Sequence, residues 1–198
     1  MNKRGLLLLT LFMMLAGCVT EKHPPVSIYA LSPNSGVVKP STDTEHITAN
    51  ILKLGRIRST QAFSNTGLLY TDAQYGQNRY AYSRWSDSPT AMLLLVFQDA
   101  LEKSGRFKAV VSYSSQSQSD LLLESTLIDF SHRINDDGTS DGIFRIRFYL
   151  VDNKTKRVIA SREFVSSVSA SQQNAQGAVA ALNKAAAVVT QDLINWLN

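Results

Sequence analysis

The chain has 198 residues, 44% of them hydrophobic and 18% charged, with a formal net charge of +4 and a single cysteine. This length and apolar share suit one folded domain, and one cysteine excludes an internal disulfide framework. With no cluster of Lys and Arg to meet a phosphate backbone, the composition also argues against a nucleic-acid partner.

The first residues carry Lys3 and Arg4, then an apolar run over residues 6–14, then Leu15, Ala16, Gly17 and Cys18. A basic end, a short apolar stretch and small residues before a cleavage point make a secretory signal, too short to span a bilayer as a mature helix. Its ending resembles a bacterial lipobox. The resemblance implies a signal peptide over residues 1–17, palmitate-type acylation of Cys18 and membrane attachment through that anchor. Val19 stands where similar lipoproteins retained at the inner membrane carry aspartate, which implies the outer membrane, on its periplasmic side. Loss of the signal removes Lys3 and Arg4, so part of the basic balance belongs to the leader.

Residues 18–26 read as a lipidated tether ending in Pro24 and Pro25, and residues 27–198 as the folded domain. Residues 27–31 form a short strand candidate, and residues 32–45, rich in Ser, Thr and Pro without a period, form a loop. Residues 46–54 alternate, with Ile47, Ala49, Ile51 and Lys53 on one parity, as a second strand. Residues 67–71 and 79–83 are tyrosine-rich strands about a turn at 74–78, which predicts a hairpin.

Residues 84–111 organise the chain as a cap, a helix, a stop and a strand. Ser88 can accept the free N–H groups of a first turn, and Pro89 fits the first helical position, where its missing N–H costs nothing. Gly105 can adopt the left-handed conformation that closes a helix, with Lys103 facing the negative end of the dipole. At ~100° per residue, Leu93, Leu94, Phe97, Ala100 and Leu101 form one apolar stripe. Met92, Leu95 and Val96 point away from it, so something besides the main core should cover them. The candidates are a second layer of the same chain or a contact with another subunit.

Residues 107–113 follow as a strand, residues 114–119 as a Ser/Gln loop, and residues 120–133 as a long strand. Phe144, Ile146, Phe148 and Leu150 then share one parity and Arg145 and Arg147 the other, while Val158, Ala160 and Phe164 share a parity beyond a turn-forming stretch. For these to share a face, paired residue numbers must sum to an even value. A three-residue loop over 153–155 gives a sum of 308, with Arg145 opposite Glu163 and Tyr149 opposite Ile159. Residues 176–197 form an alanine-rich helix with Leu182, Ala186, Val189, Leu193 and Leu197 at helical spacing. Ala178, Ala181 and Ala185 suit its close approach to a sheet, with Trp196 as an anchor. The expected fold class is therefore α/β: a mixed, largely antiparallel sheet with at least two helices packed against it, in a single domain.

The lipobox, Tyr29, the run from Tyr70 to Trp85, the Trp-Ser-Asp-Ser-Pro motif, Leu-Glu-Lys-Ser-Gly-Arg-Phe and the closing alanine-rich helix together resemble a known family. It is that of the ABC-type transport auxiliary lipoproteins, the PqiC/YmbA-like components that accompany MCE-type lipid-transport systems of Gram-negative envelopes. The motif from Trp85 to Phe107 carries most of the likeness, and Thr71 departs from a family pattern that places arginine after the tyrosine matching Tyr70. The resemblance implies an outer-membrane subunit of an envelope-spanning machine for phospholipid or other hydrophobic cargo. Its implied partners are a periplasmic MCE-domain protein and the associated ABC transporter, with a cyclic homo-oligomer as a further possibility. It carries no catalytic residues, so no enzyme is expected; the alternative is a stand-alone ligand-binding or envelope-assembly lipoprotein.

Residue chemistry points the same way. His23, His46 and His132 have no ligand spacing, and Asp136, Asp137, Gly138 and Asp141 read as a hairpin turn rather than a calcium loop, so neither metal nor cofactor is expected. No serine lies in a nucleophile motif, and no phosphate loop is present. Tyr80, Trp85, Pro89, Gly105 and Phe107 are the motif residues, for which packing competes with contact to lipid or partner.

Overall fold

The computed structural model describes residues 24–32, 48–72 and 76–197. The expected signal peptide, the acylation site at Cys18, His23, His46 and nearly all of the polar stretch 32–45 lie outside the described residues. The elements are β1 (Ser27–Tyr29), β2 (Thr48–Arg58), β3 (Gly67–Thr71), β4 (Gln77–Trp85), α1 (Pro89–Lys103), β5 (Phe107–Val111), β6 (Leu121–Ile134), β7 (Ser140–Asp152), β8 (Arg157–Ser169) and α2 (Ala175–Trp196).

Strand β6 is the axis of a single sheet of eight strands. One edge pairs antiparallel with β7 from Leu121↔Asp152 to Ile134↔Ser140, and β7 pairs antiparallel with β8. The other edge is shared. Its first half takes β2 in parallel, from Leu52↔Leu121 to Arg58↔Thr126, and its far end takes β3 in parallel at Tyr70↔His132 and Thr71↔Arg133. Beyond β2 lies β5, and beyond β3 lie β4 and then β1. The sheet thus has a body, β5–β2–β6–β7–β8, and a wing, β3–β4–β1. Most paired positions are antiparallel, and the β3/β4 hairpin is formed. The fold class is the α/β arrangement that the residue pattern predicts.

Helix α2 covers β7 and β8, and its alanines explain how closely. Ala178, Ala181 and Ala185 are buried with Leu182, Val189 and Leu193. Phe144, Ile146 and Phe148 are buried on the facing strand. The buried aromatic rings form a chain across the domain. Trp85 meets Phe130 at 5.7 Å between centroids, Phe130 meets Phe144 at 5.2 Å, and Phe97 of α1 lies 6.5 Å from Phe144 and 5.3 Å from Phe148. Phe148 then meets Phe164 at 5.9 Å, and Phe164 meets Trp196 of α2 at 6.0 Å. Offset and edge-on pairs of this kind contribute ~0.5–1.5 kcal/mol each beyond burial.

Two registers differ from expectation. In β2 the core parity is Leu52 and Leu54, while Ile51 and Lys53 are only half-buried. In the β7/β8 hairpin the pairing is two residues further along: Arg145 opposes Val165, Arg147 opposes Glu163 and Tyr149 opposes Ser161. The turn between Asp152 and Arg157 has four residues instead of three. Asp152 Oδ1 accepts the amides of Lys154 (2.9 Å) and Thr155 (2.7 Å), and Lys156 adopts φ 60°. Side-chain capping by Asp152 and a left-handed Lys156 accommodate the extra residue. Parity survives because the shift is even, except at the end, where Leu150 pairs with Ala160 and Val151 with Val158. Ile159 is then the extra residue of a bulge, and Val158 is exposed instead of joining the core face.

Candidate functional site

The site is built on the opening turns of α1. Ser88 Oγ accepts the amide of Ala91 at 3.3 Å, and Pro89 occupies the first turn. At the other end Gly105 has φ 65° and Lys103 Nζ bonds Asp99 Oδ2 at 2.7 Å. These caps fix where the helix begins and ends, and its apolar stripe fixes which way it faces. Leu93, Phe97, Ala100 and Leu101 are buried, and Leu94 is half-buried against the core.

The surplus apolar face divides. Met92 and Val96 are each 8% exposed, whereas Leu95 is 68% exposed. The cover comes from the same chain: residues 30–32, leaving β1, bring Leu31 into the apolar cluster that includes Met92 and Val96. Asn183 of α2 pins this strap. Its Oδ1 accepts the Ser32 amide at 2.8 Å, and its Nδ2 donates to the carbonyls of Val179 (2.9 Å) and Ala30 (3.4 Å). The Ser86 amide donates to Tyr29 O at 2.7 Å, and Ser86 Oγ donates to Met92 Sδ at 3.6 Å.

Between strap and helix remains a groove of about 440 Å³ walled by Leu31, Met92, Leu95 and Val96, with Asp87 and Asp99 also lining it. The apolar walls suit an apolar insert; Asp99 is already paired with Lys103, so Asp87 is the carboxylate left to meet a basic flank.

The remaining motif residues lie elsewhere. Trp85 is 1% exposed, packed on Phe130, and its Nε1 has no hydrogen-bond partner among the described residues. Tyr80 is half-buried, with its hydroxyl 2.7 Å from His132 Nδ1 and its ring 5.0 Å from that of Tyr70. Burial, with Tyr70 beside it, pushes the Tyr80 hydroxyl up to about 12. Phe107 is half-buried against the core at the far end of α1. The structure therefore gathers Met92, Leu95 and Val96 at the groove, while the tryptophan and tyrosine serve the wing.

Three residues that shape these places escape a reading of the pattern: Leu31, Asn183 and His132. Leu31 reads as a strand end, Asn183 lies off the apolar positions that mark α2, and neither has a periodic signal linking it to α1. His132 is 0% exposed, although a strand-end histidine suggests solvent.

Among the described residues no three His, Cys, Asp or Glu side chains converge to hold a metal ion, and no helix is long and apolar enough to cross a membrane. The acidic stretch is a β6–β7 turn. Gly138 has φ 80°, Asp137 Oδ1 accepts the Thr139 amide (2.9 Å) and hydroxyl (2.6 Å), and Asp141 accepts from Asn135 and Ser169. The Thr139 bonds hold the Asp137 carboxyl below the usual carboxylate range.

The family profile described as ABC-type transport auxiliary lipoprotein component matches residues 29–193. The chain belongs to that family. By this description the protein is an auxiliary component associated with an ABC-type transport system. Among solved structures it is similar to protein XCC0632 from Xanthomonas campestris, with 21% identity and a TM-score of 0.77 over 87% of this chain and 94% of that one. It is also similar to an uncharacterised protein, with 15% identity and a TM-score of 0.68 over 88% of this chain and all of the other. At these identities the likeness is one of fold. Among curated proteins no sequence matches.

Proposed function

We propose that this auxiliary lipoprotein is a non-catalytic adaptor or conduit subunit of an MCE/ABC-type system that carries phospholipid or other hydrophobic molecules across the envelope. In this reading Cys18 bears the acyl chains and anchors the domain to the inner leaflet of the outer membrane. The groove over α1 receives a neighbouring subunit or the periplasmic MCE-domain protein.

The observation that carries the reading is Leu95. A leucine left 68% exposed beside buried Met92 and Val96, at the mouth of an apolar groove, is a surface suited to an apolar partner group. A head-to-tail contact repeated by rotation would close a ring with a central passage, the geometry a conduit needs.

The test is Leu95→Glu in the lipidated protein, purified from membranes and followed by light scattering, co-purification with the MCE-domain protein and mass spectrometry of bound lipid. Loss of assembly from a protein with unchanged circular dichroism supports the adaptor reading. Full assembly and transport would remove the groove from it. Lipid retained by an isolated, monomeric protomer would favour the stand-alone ligand-binding alternative. Cys18→Ser should abolish palmitate labelling, and labelling that persists would overturn the anchor.

A further inference from the structure

The wing ends at β1, an edge strand that pairs with β4 alone. The two run parallel in the register Ser27↔Ser83, Ile28↔Arg84 and Tyr29↔Trp85. Residues paired across neighbouring strands point to the same side of the sheet, so this register sorts the edge into two faces. Tyr29 and Trp85 turn to the helix side, where Trp85 is buried on Phe130 and Tyr29 packs against the same core. Ile28 and Arg84 turn to the other side, and one step back in the same register Val26 falls beside Tyr82 there. Val26, Ile28 and Tyr82 are all exposed, Ile28 to 57%, and together they form one apolar patch with Arg84 at its margin.

Single apolar side chains are common on protein surfaces, so position has to give such a patch its meaning. The chain enters β1 directly from the tether. Residues 18–26 span at most about 30 Å even when fully extended. An acyl group on Cys18 therefore holds the wing edge within that distance of a bilayer, at a high effective concentration of lipid.

The chemistry of the patch suits that neighbour. Aliphatic side chains enter the boundary between headgroups and acyl chains, a tyrosine places its ring there with its hydroxyl at headgroup level, and an arginine meets lipid phosphate. Arg84 is exposed and enters none of the ion pairs among the described residues. Its charge is available to a phosphate.

We propose that the outer face of the β1/β4 edge, made by Val26, Ile28, Tyr82 and Arg84, is a membrane-contact face that seats on anionic phospholipid beside the acyl anchor and sets the orientation of the domain. The anchor at Cys18 belongs to the function proposed above, and the face rests on it. Because Tyr29 and Trp85 alternate with these residues, the helix side of the sheet, and with it the groove over α1, turns away from the lipid. The groove then stays open to a partner while the opposite face is occupied.

The experiment is spin-label accessibility on the acylated full chain in vesicles of phosphatidylethanolamine, with and without phosphatidylglycerol. Once Cys18 carries its acyl group, the cysteine introduced by Ile28→Cys or Tyr82→Cys is the one free thiol for a nitroxide, and Val188→Cys on the exposed side of α2 is the control. All of these positions are exposed, so the variants should fold as the wild type does. The expected result is a several-fold fall in access to an aqueous nickel chelate at positions 28 and 82 relative to 188, with higher access to oxygen. Arg84→Gln should weaken the contact about fivefold in vesicles containing phosphatidylglycerol and leave it unchanged without that lipid. Equal chelate access at positions 28, 82 and 188 would overturn the face. Protection that follows protein density rather than phosphatidylglycerol would assign the patch to a second copy of the chain and overturn it as well. Palmitate labelling of the same samples reads the anchor by itself, so a face that fails on an acylated chain is distinct from an anchor that fails. Absence of palmitate would remove the anchor, and the face with it.

Discussion

Gly142 on β7 touches Ala181 on α2 so closely that a Cβ added to the glycine would lie 2.8 Å from the Ala181 carbonyl carbon and methyl group and from the Leu182 nitrogen. Two of those atoms are helix backbone, which cannot swing aside as a side chain would. Gly142→Ala should therefore lift α2 from the sheet and destabilise the domain by about 1–3 kcal/mol, read from urea unfolding. A loss under about 0.5 kcal/mol would show that the helix can slide.

Neighbouring positions on α1 should respond in opposite ways. Leu95→Glu alters a side chain in solvent, so its unfolding midpoint should stay within about ±0.5 kcal/mol of the wild type. Val96→Asp places a carboxylate beside Leu31 and Met92, where desolvation raises its cost to several kcal/mol or forces it to take up a proton. Thermal unfolding of the two single variants checks this contrast. Equal stabilities would mean that the strap does not cover Val96.

Asn183 bridges α2 and the strap through its side-chain amide. Asn183→Ala removes these bonds without opening the alanine-lined face of the helix, and should cost about 1–3 kcal/mol. The more telling readout is local: exchange at the Ser32 amide should accelerate while Leu193 stays protected. Unchanged protection at Ser32 would assign the strap to other contacts.

Glu163 on β8 is bonded by Arg145 Nε at 2.5 Å and by Arg147 Nη2. Those two bonds, Arg145 first, hold its carboxyl below the usual value of 4.5. A depressed carboxylate stabilises the fold above its unfolded value and loses that contribution as pH falls through its folded one. Stability should therefore decline below about pH 4.5 less steeply in Glu163→Gln than in the wild type. Because the group is only half-buried and its two arginine partners reach solvent, about 1 M salt should shrink the difference at neutral pH. A difference that salt leaves untouched would point to packing rather than charge.

Local chemistry made much of this architecture legible before any coordinates. Ser88, Pro89 and Gly105 fix α1 because a cap, a proline in the first turn and a left-handed stop act within a few residues of where they stand. The alternation of Phe144, Ile146 and Phe148 with Arg145 and Arg147 fixes which side of β7 is buried, since a strand turns its side chains over every second residue. Alanine spacing in α2 announces a helix that must come close to something.

Tertiary structure decided the rest. Whether Met92 and Val96 would be covered depended on Leu31 and on Asn183, far away in the chain and brought together by the order of strands in the sheet. The hairpin register moved by two residues because Lys156 could adopt a left-handed conformation under the Asp152 cap, an outcome that alternation alone does not encode. His132 carries no periodic mark of its role, and it becomes a buried partner of Tyr80 only where β3 and β4 reach the far end of β6. Helix caps and face parity depend on neighbours in sequence, whereas coverage, register and the pairing of buried polar groups depend on which distant segments the topology makes neighbours in space.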